Sequence, residues 1–337
     1  MPISVAAIDT ALERFGIERT AEPAPVADSI LNQNFRIESR DRVYFLRFAQ
    51  LKREKAVVEA EHRAMRHAAE SGVPVPLPCA SLGGDSVIEI EGRRAAVYPF
   101  VEGRTARRGA ITPGEAAALG AMQGRLCGVL ANFRDDVLEA RHAGETLWDT
   151  AASVNTLYRI EAWLSAHLTG IDERHARRAA RMQLMLLESG QARPSGDFAH
   201  LPVQIDHGDF HERNVILDAD SDRVLAVVDW ERVRVLPRAF QLVRAIDFIG
   251  LLVGGPLDEY LAAFGREQRL EPQECHDAVD QWWQSALHNT WTYTETFEAG
   301  NVAVARFLPE MEGRLQRLAN ESFRRQLGER IARHTAG

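Results

Sequence analysis

From residue 35 to residue 101 the apolar and polar positions alternate in four short runs, FRIES, RVYFLRFA, DSVIEIEG and RRAAVYPFV, with the polar clusters SRD, GGD and EGR between or beside them. Alternation of this kind marks half-buried strands, and such short polar breaks suit hairpins, so a small antiparallel sheet is predicted. Between the second and third runs the period changes. EKAVVEAEHRAMRHAAES is strongly helical in pattern and stops at Gly72 with VPVP behind it. Beyond residue 101 the pattern is mostly helical, beginning with TPGEAAALGAMQGRLCGVLANF. One stretch breaks it, NVILDADSDRVLAVVDW, which holds two β-rich runs around a polar turn. The reading is an α+β chain with two lobes. Residues 1–101 form a sheet with one long helix, and residues 102–337 form a helical lobe with a hairpin set into it.

Composition narrows the class without naming a chemistry. The 337 residues, 45% hydrophobic and 26% charged, are ordinary for globular protein and sufficient for two cores. Cys79, Cys127 and Cys275 are far apart and form no C-x-x-C pair, which suggests neither a disulfide framework nor a cysteine zinc site and fits a reducing cytoplasm. The N-terminal MPISVAAIDTALERFGIE carries Asp9, Glu13 and Glu18 where a signal peptide needs an unbroken apolar run. The best apolar run elsewhere, AIDFIGLLVGG, is too short to span a bilayer. A soluble, unprocessed cytoplasmic chain with no membrane partner is expected, as monomer or homodimer. A formal charge of −8 argues against an extended nucleic-acid surface. The same charge would tolerate a cationic substrate, although solubility alone accounts for it.

The densest chemistry lies in DHGDFHERN, residues 206–214, and it admits two readings. In one, His207, Asp209 and His211 are part of a metal nest for hydrolysis. That reading needs further ligands, and the remaining histidines show neither H-x-H nor H-E-x-x-H spacing. In the other, Asp209 and Asn214 sit on a loop running into a strand, and Asp229 ends the returning strand, so that a hairpin brings three polar side chains to one edge. That set suits phosphoryl transfer. Asp209 orients an acceptor hydroxyl and takes its proton, while Asn214 and Asp229 offer hard oxygen ligands to Mg2+ on the phosphates.

HGDFHERN followed by VVDWE resembles the aminoglycoside phosphotransferase superfamily, small-molecule kinases with a bilobal protein-kinase-like fold. Further segments agree in order: LNQNFRIESRDRVYFLRF with the nucleotide-covering hairpin, AVVEAEHRAMRHAAESGVPVP with the helix after it, AAVYPFVEGRT with the connection between lobes, and ALGAMQGRLCGVL with the first large-lobe helix. The layout is closest to the homoserine-kinase-like branch. The resemblance implies ATP and Mg2+ as cofactors and a small-molecule hydroxyl acceptor. It puts Arg47 where the family has a basic residue on the third strand, and a guanidinium there can hold phosphate oxygens and accept a carboxylate partner. Of the rivals Glu59 and Glu61, the latter shares the apolar side of its helix with Val57 and Met65, so Glu61 is expected to pair with Arg47. The adenine is expected against the Pro99 carbonyl and the Val101 N–H.

Three features depart from the family. ADSILNQNF has no glycine, which leaves Ser29, Asn32, Asn34 or backbone N–H groups to meet the nucleotide. Cys127 replaces a histidine of the first large-lobe helix. Gln241 replaces the aspartate that supports the catalytic loop from below, leaving that task to Gln241 as a neutral hydrogen-bonder or to Asp247. For the acceptor, QWWQSALHNTWTYTETFEAGN offers Trp282, Trp283, Trp291 and Tyr293 to stack on a sugar or enclose a cation, with Glu295 to pair an amine. Helix packing is the competing reading for these aromatics. Glu231 and His211 are further substrate candidates. Phosphorylation of an amino alcohol, a hydroxy amino acid or a sugar competes with antibiotic phosphorylation. A nucleotide-binding pseudokinase and a metal hydrolase are readings from other classes.

Overall fold

The computed structural model of the chain describes residues 3–26, 32–51, 53–141, 146–167 and 171–336. They fall into two compact units: residues 1–141, 204–235 and 245–268 make the first, and residues 142–203, 236–244 and 269–337 the second. The first unit carries a five-stranded antiparallel sheet. Its strands are β1 (Ala24–Pro25), β2 (Gln33–Glu38), β3 (Val43–Phe48), β4 (Ile88–Ile90) and β5 (Arg93–Pro99), in the order β1-β2-β3-β5-β4. The four runs of alternating residues therefore become four of the strands.

The alternation also sorts the faces. On β3, Leu46 and Phe48 are fully buried in a core with Ile8, Leu12 and Val97, to which an N-terminal helix, α1 (Val5–Arg14), contributes. Phe45 and Arg47 take the other face, because successive side chains of a strand point to opposite sides. α1 was not among the elements the sequence pattern predicts, although Ala7, Ile8, Ala11 and Leu12 form one buried stripe. The predicted long helix is α2 (Lys55–Glu70), with Val58, Glu61, Met65 and Ala68 all buried on it.

α3 (Pro113–Leu130) begins at Thr112 with a capping box completed by Glu115. It lies unusually close to the helix Leu257–Glu267, since a Cβ on Gly120 would come within 2.1 Å of the Tyr260 carbonyl oxygen. Near its end, Cys127 accepts the Gln204 side-chain amide on its carbonyl at 2.8 Å. Gln204 belongs to β6 (Val203–Asp206), the strand that delivers the DHGDFHERN loop. Beyond the loop comes the predicted hairpin, β7 (Val215–Leu217) and β8 (Val224–Val227), paired through Val215 and Val227.

The second unit is helical, with Thr150–Ala166, Ile171–Leu186, Pro272–His288, Leu308–Ala319 and Glu321–Thr335 as its main elements. Trp282 and Trp283 are buried in it. Among the described residues, no helix is long and apolar enough to cross a membrane.

Candidate active site

The loop after β6 is shaped by Gly208 and braced by His207. Gly208 has φ +76°, and a Cβ added to it would stand 2.0 Å from the Arg232 carbonyl oxygen, so only glycine lets the loop lie against the 230–232 turn. Gly208→Ala is expected to cost more than about 2 kcal/mol of stability, from the collision and the left-handed backbone together. Denaturant unfolding against the parent chain checks this, and equal midpoints would contradict it. His207 is fully buried beside the Trp230 ring, 5.0 Å between centroids. Burial pushes its pKa down to about 4, so the ring is neutral at pH 7, and its Nε2–H donates to the Val228 carbonyl at 3.0 Å. His207 is thus a brace between the loop and the end of β8.

Within the loop, Asn214 carries most of the internal bonding. Its side-chain N–H donates to the Asp209 carbonyl at 2.8 Å, and its own carbonyl accepts from the Val228 N–H at 2.9 Å. With the amide nitrogen so engaged, Oδ1 is the atom left to act as a hard oxygen ligand. His211 caps the single turn Glu212–Asn214, its Nδ1 accepting from the Arg213 N–H. Its Nε2 lies 3.7 Å from the Asp209 carboxylate. Among the described residues, no group of three or more His, Cys, Asp or Glu is placed to hold a metal ion. The metal-nest reading of this loop therefore lacks its ligand set. Two protein oxygens with the phosphates supplying the rest is the way magnesium is usually held.

Val228 is gripped on both its backbone groups, by His207 and Asn214, and Asp229 follows it in the left-handed conformation, φ 64° and ψ 60°. Asp229 and Glu91 are the positive-φ residues other than glycine among the described residues. Such backbone costs energy and persists where surrounding contacts over-determine it, commonly at functional positions. From there the Asp229 carboxylate meets the Arg47 guanidinium at 2.9 Å. Burial opposes the Arg47 charge, but Asp229, Tyr98 and Glu231 outweigh it and hold the pKa above the ordinary arginine value.

The expected Arg47–Glu61 pair is not formed. Glu61 does face inward, as its helical position predicts, while Glu59 pairs with Lys55 on the outside. Its carboxylate is taken instead by Arg53, just before α2, and by Arg141 at 3.1 Å. Two guanidinium groups already satisfy it, and Arg47 has a carboxylate of its own in Asp229. Burial nevertheless raises the Glu61 pKa to about 7 against the pull of Arg53 and Arg141.

Arg47, Glu61, Asp229 and Glu231 line a cavity of about 270 Å3 together with apolar side chains, Phe45, Met65, Val101 and Ile216 among them. Pro99 and Val101 border it. Phe100 N–H donates to the Val43 carbonyl of the neighbouring strand, so strand alternation turns the Pro99 carbonyl and Val101 N–H the other way. β4 pairs with β5 only as far as Ala95, and past it the Val97 carbonyl accepts from the Cys79 N–H at 2.8 Å, so the edge is left to a ligand only from Pro99 onward. Asn34 stands directly across from Arg47 in the β2–β3 register. Its Oδ1 and the Arg47 Nε are both buried without a protein hydrogen-bond partner. Apolar walls, the outward-turned Pro99 carbonyl and Val101 N–H, and unspent polar atoms on Asn34 and Arg47 beside the Asp229 carboxylate fit a nucleotide with its magnesium ion.

Asn32 is buried and donates to the Glu231 carboxylate at 2.5 Å, so Glu231 is engaged by the start of β2. Ser29 lies outside the described residues. Trp291, Tyr293 and Glu295 belong to the second unit. There Tyr293 is fully enclosed, its hydroxyl donating to Gln183 at 3.2 Å, and it is a packing residue and not the pocket lining expected of it. Trp282 packs on Phe240 at 5.5 Å and is likewise core. Trp291 is exposed, and Glu295 accepts from the Asn301 side chain. Gln241 and Asp247 are both buried on the helix Arg238–Ile249.

A loop with the Asp209 carboxylate and the Asn214 amide, and an Asp229 carboxylate that lines a cavity with Arg47, are a set suited to phosphoryl transfer. The model of the phosphotransferase enzyme family matches residues 23–278, and the chain belongs to that family. No curated protein matches it in sequence. Its fold is similar to that of the amicoumacin kinase hAmiN in complex with AMP-PNP, Ca2+ and Ami, at 16% identity over 92% of this chain and 93% of that one, TM-score 0.61. It is similar also to a microcompartment-associated aminopropanol kinase, 18% identical over 93% and 100% of the two chains, TM-score 0.57. A third similar structure is the GDP complex of aminoglycoside 2'-phosphotransferase-IIIa, 10% identical over 93% and 99%, TM-score 0.62. The fold is thus the protein-kinase-like one expected from the sequence.

Proposed function

We propose that this phosphotransferase moves the γ-phosphoryl group of ATP to a hydroxyl of a small polar metabolite, an amino alcohol, a hydroxy amino acid or a sugar. The observation that carries the reading is the Asp229 carboxylate meeting Arg47 in the lining of a cavity bordered by Pro99 and Val101, with Asn214 bonded to Val228 just before Asp229. The Pro99 carbonyl and Val101 N–H present an acceptor and a donor, complementary to the amino group and ring nitrogen of adenine. Asn214 Oδ1 and the Asp229 carboxylate are the groups that would hold magnesium, which when bound would supply positive charge against the phosphates. Arg47 draws the phosphates toward Asp229 without losing its charge. Asp209 accepts a hydrogen bond from the acceptor hydroxyl and takes its proton as the oxygen attacks the γ-phosphorus and the bond to ADP breaks. Residues 1–101 act as the nucleotide lobe and residues 102–337 carry the catalytic loop and the acceptor site, in a cytoplasmic protein.

Aminopropanol appears in the name of one similar structure, and amicoumacin and an aminoglycoside in the names of the other two, which sets the acceptors worth testing. Purified protein with Mg·ATP is expected to form ADP and a phosphorylated product with one class from a panel of amino alcohols, hydroxy amino acids, sugars and aminoglycosides. Phosphate-ester formation is read by mass spectrometry. Magnesium-dependent nucleotide binding with no turnover across the panel would replace the enzyme by a nucleotide-binding scaffold. Absence of nucleotide binding would remove both readings.

A further inference from the structure

We infer that Glu61 is the hub of a clasp, Arg53–Glu61–Arg141, that fixes the backbone after Asp229 and thereby sets the affinity for magnesium. The inference rests on the reading of Asp229 as a magnesium ligand. Its geometry is independent of Arg47. One Glu61 oxygen receives both the Arg53 Nη2 and the Arg141 Nη1, and each of these nitrogens reaches on to a main-chain carbonyl. Arg53 donates to the Glu231 carbonyl at 2.7 Å and Arg141 to the Val233 carbonyl at 3.0 Å. The Arg141 carbonyl in turn accepts from the Val235 N–H at 3.1 Å. Alternate carbonyls of the segment following Asp229 are therefore tied to a single carboxylate on α2.

Asp229 needs such a tether. It sits in a left-handed conformation that a non-glycine residue leaves readily when unsupported. His207 and Asn214 grip the chain before it, at Val228. The clasp grips it after. Two guanidinium groups are brought together here, and without the Glu61 charge between them they repel. Arg53 and Arg141 are engaged by Glu61 and by the main-chain carbonyls of Glu231 and Val233, so the clasp acts through the backbone and its members are positioning residues.

Partners that orient a metal's ligands typically change affinity by about ten- to a hundredfold when lost. Arg141→Met keeps the bulk of the side chain and removes its donors. In titrations of AMP-PNP, this variant is expected to need at least about tenfold more Mg2+ for half-maximal binding, with Arg141→Lys recovering most of the loss. Amide exchange over residues 229–235 should also be faster in the metal-free variant. A purely structural role would lower thermal stability and leave the Mg2+ midpoint unchanged, and a folded Arg141→Met with the parental midpoint overturns the proposal. If Arg141→Met does not fold, Glu61→Gln, which keeps shape and removes charge, is held to the same midpoint criterion. Parent protein that binds AMP-PNP without regard to Mg2+ would refute the metal reading itself, a result distinct from failure of the clasp.

Discussion

Asp209→Asn is expected to bind Mg·AMP-PNP as the parent does and to turn over roughly two to four orders of magnitude more slowly. Its carboxylate is needed only when the acceptor proton leaves, and an amide of the same shape can orient a hydroxyl but cannot take a proton. The loop itself should survive. Asn214 holds the Asp209 backbone carbonyl, not its side chain, and Gly208 and His207 fix the approach. His211→Ala should do far less, because His211 caps a single turn and its ring stands 3.7 Å from the Asp209 carboxylate. Calorimetric titration of nucleotide beside steady-state turnover separates the two variants. Equal damage from both, with a tightly held transition metal in the parent, would return the loop to the metal-nest reading.

The legible parts of this chain are those where neighbouring residues decide the structure. Strand alternation put Leu46 and Phe48 on one face and Arg47 on the other, and helical spacing put Glu61 inside and Glu59 outside. Both are local periodicities. What periodicity cannot say is which group from elsewhere meets an inward side chain. Arg53 lies before α2 and Arg141 is 80 residues from Glu61, with nothing in either one's surroundings to mark it as a partner. Arg47, on β3, was expected to pair with Glu61 on α2 and finds its carboxylate in Asp229, just past the end of β8, instead. The short β1, Ala24–Pro25, carries too few residues to show alternation. In the second unit the difficulty is different: a dense run of aromatics has the same composition whether it lines a pocket or fills a core. Trp282, Trp283 and Tyr293 turn out to fill it, while Trp291 remains exposed. The strained backbone at Asp229 also has no sequence signal, since the left-handed region favours glycine and VVDWE contains none.

That strain is the reason to test Asp229 with asparagine, which tolerates the left-handed region and preserves the size of the side chain. Asp229→Asn should fold, keep metal-free nucleotide binding, and lose most of the magnesium dependence of that binding. Turnover should fall by about three orders of magnitude or more, because several kcal/mol of charge stabilisation in the transition state depends on the ion. The signature differs from that of Asp209→Asn, which keeps the metal and loses the proton acceptor. Loss of the Arg47 ion pair does not mimic it, since Glu231 and Tyr98 still act on that guanidinium and its charge persists. Nucleotide titrations with and without Mg2+, together with turnover at saturating Mg2+, give the answer. An Asp229→Asn protein that works within about tenfold of the parent would show that the carboxylate serves Arg47 and not the metal.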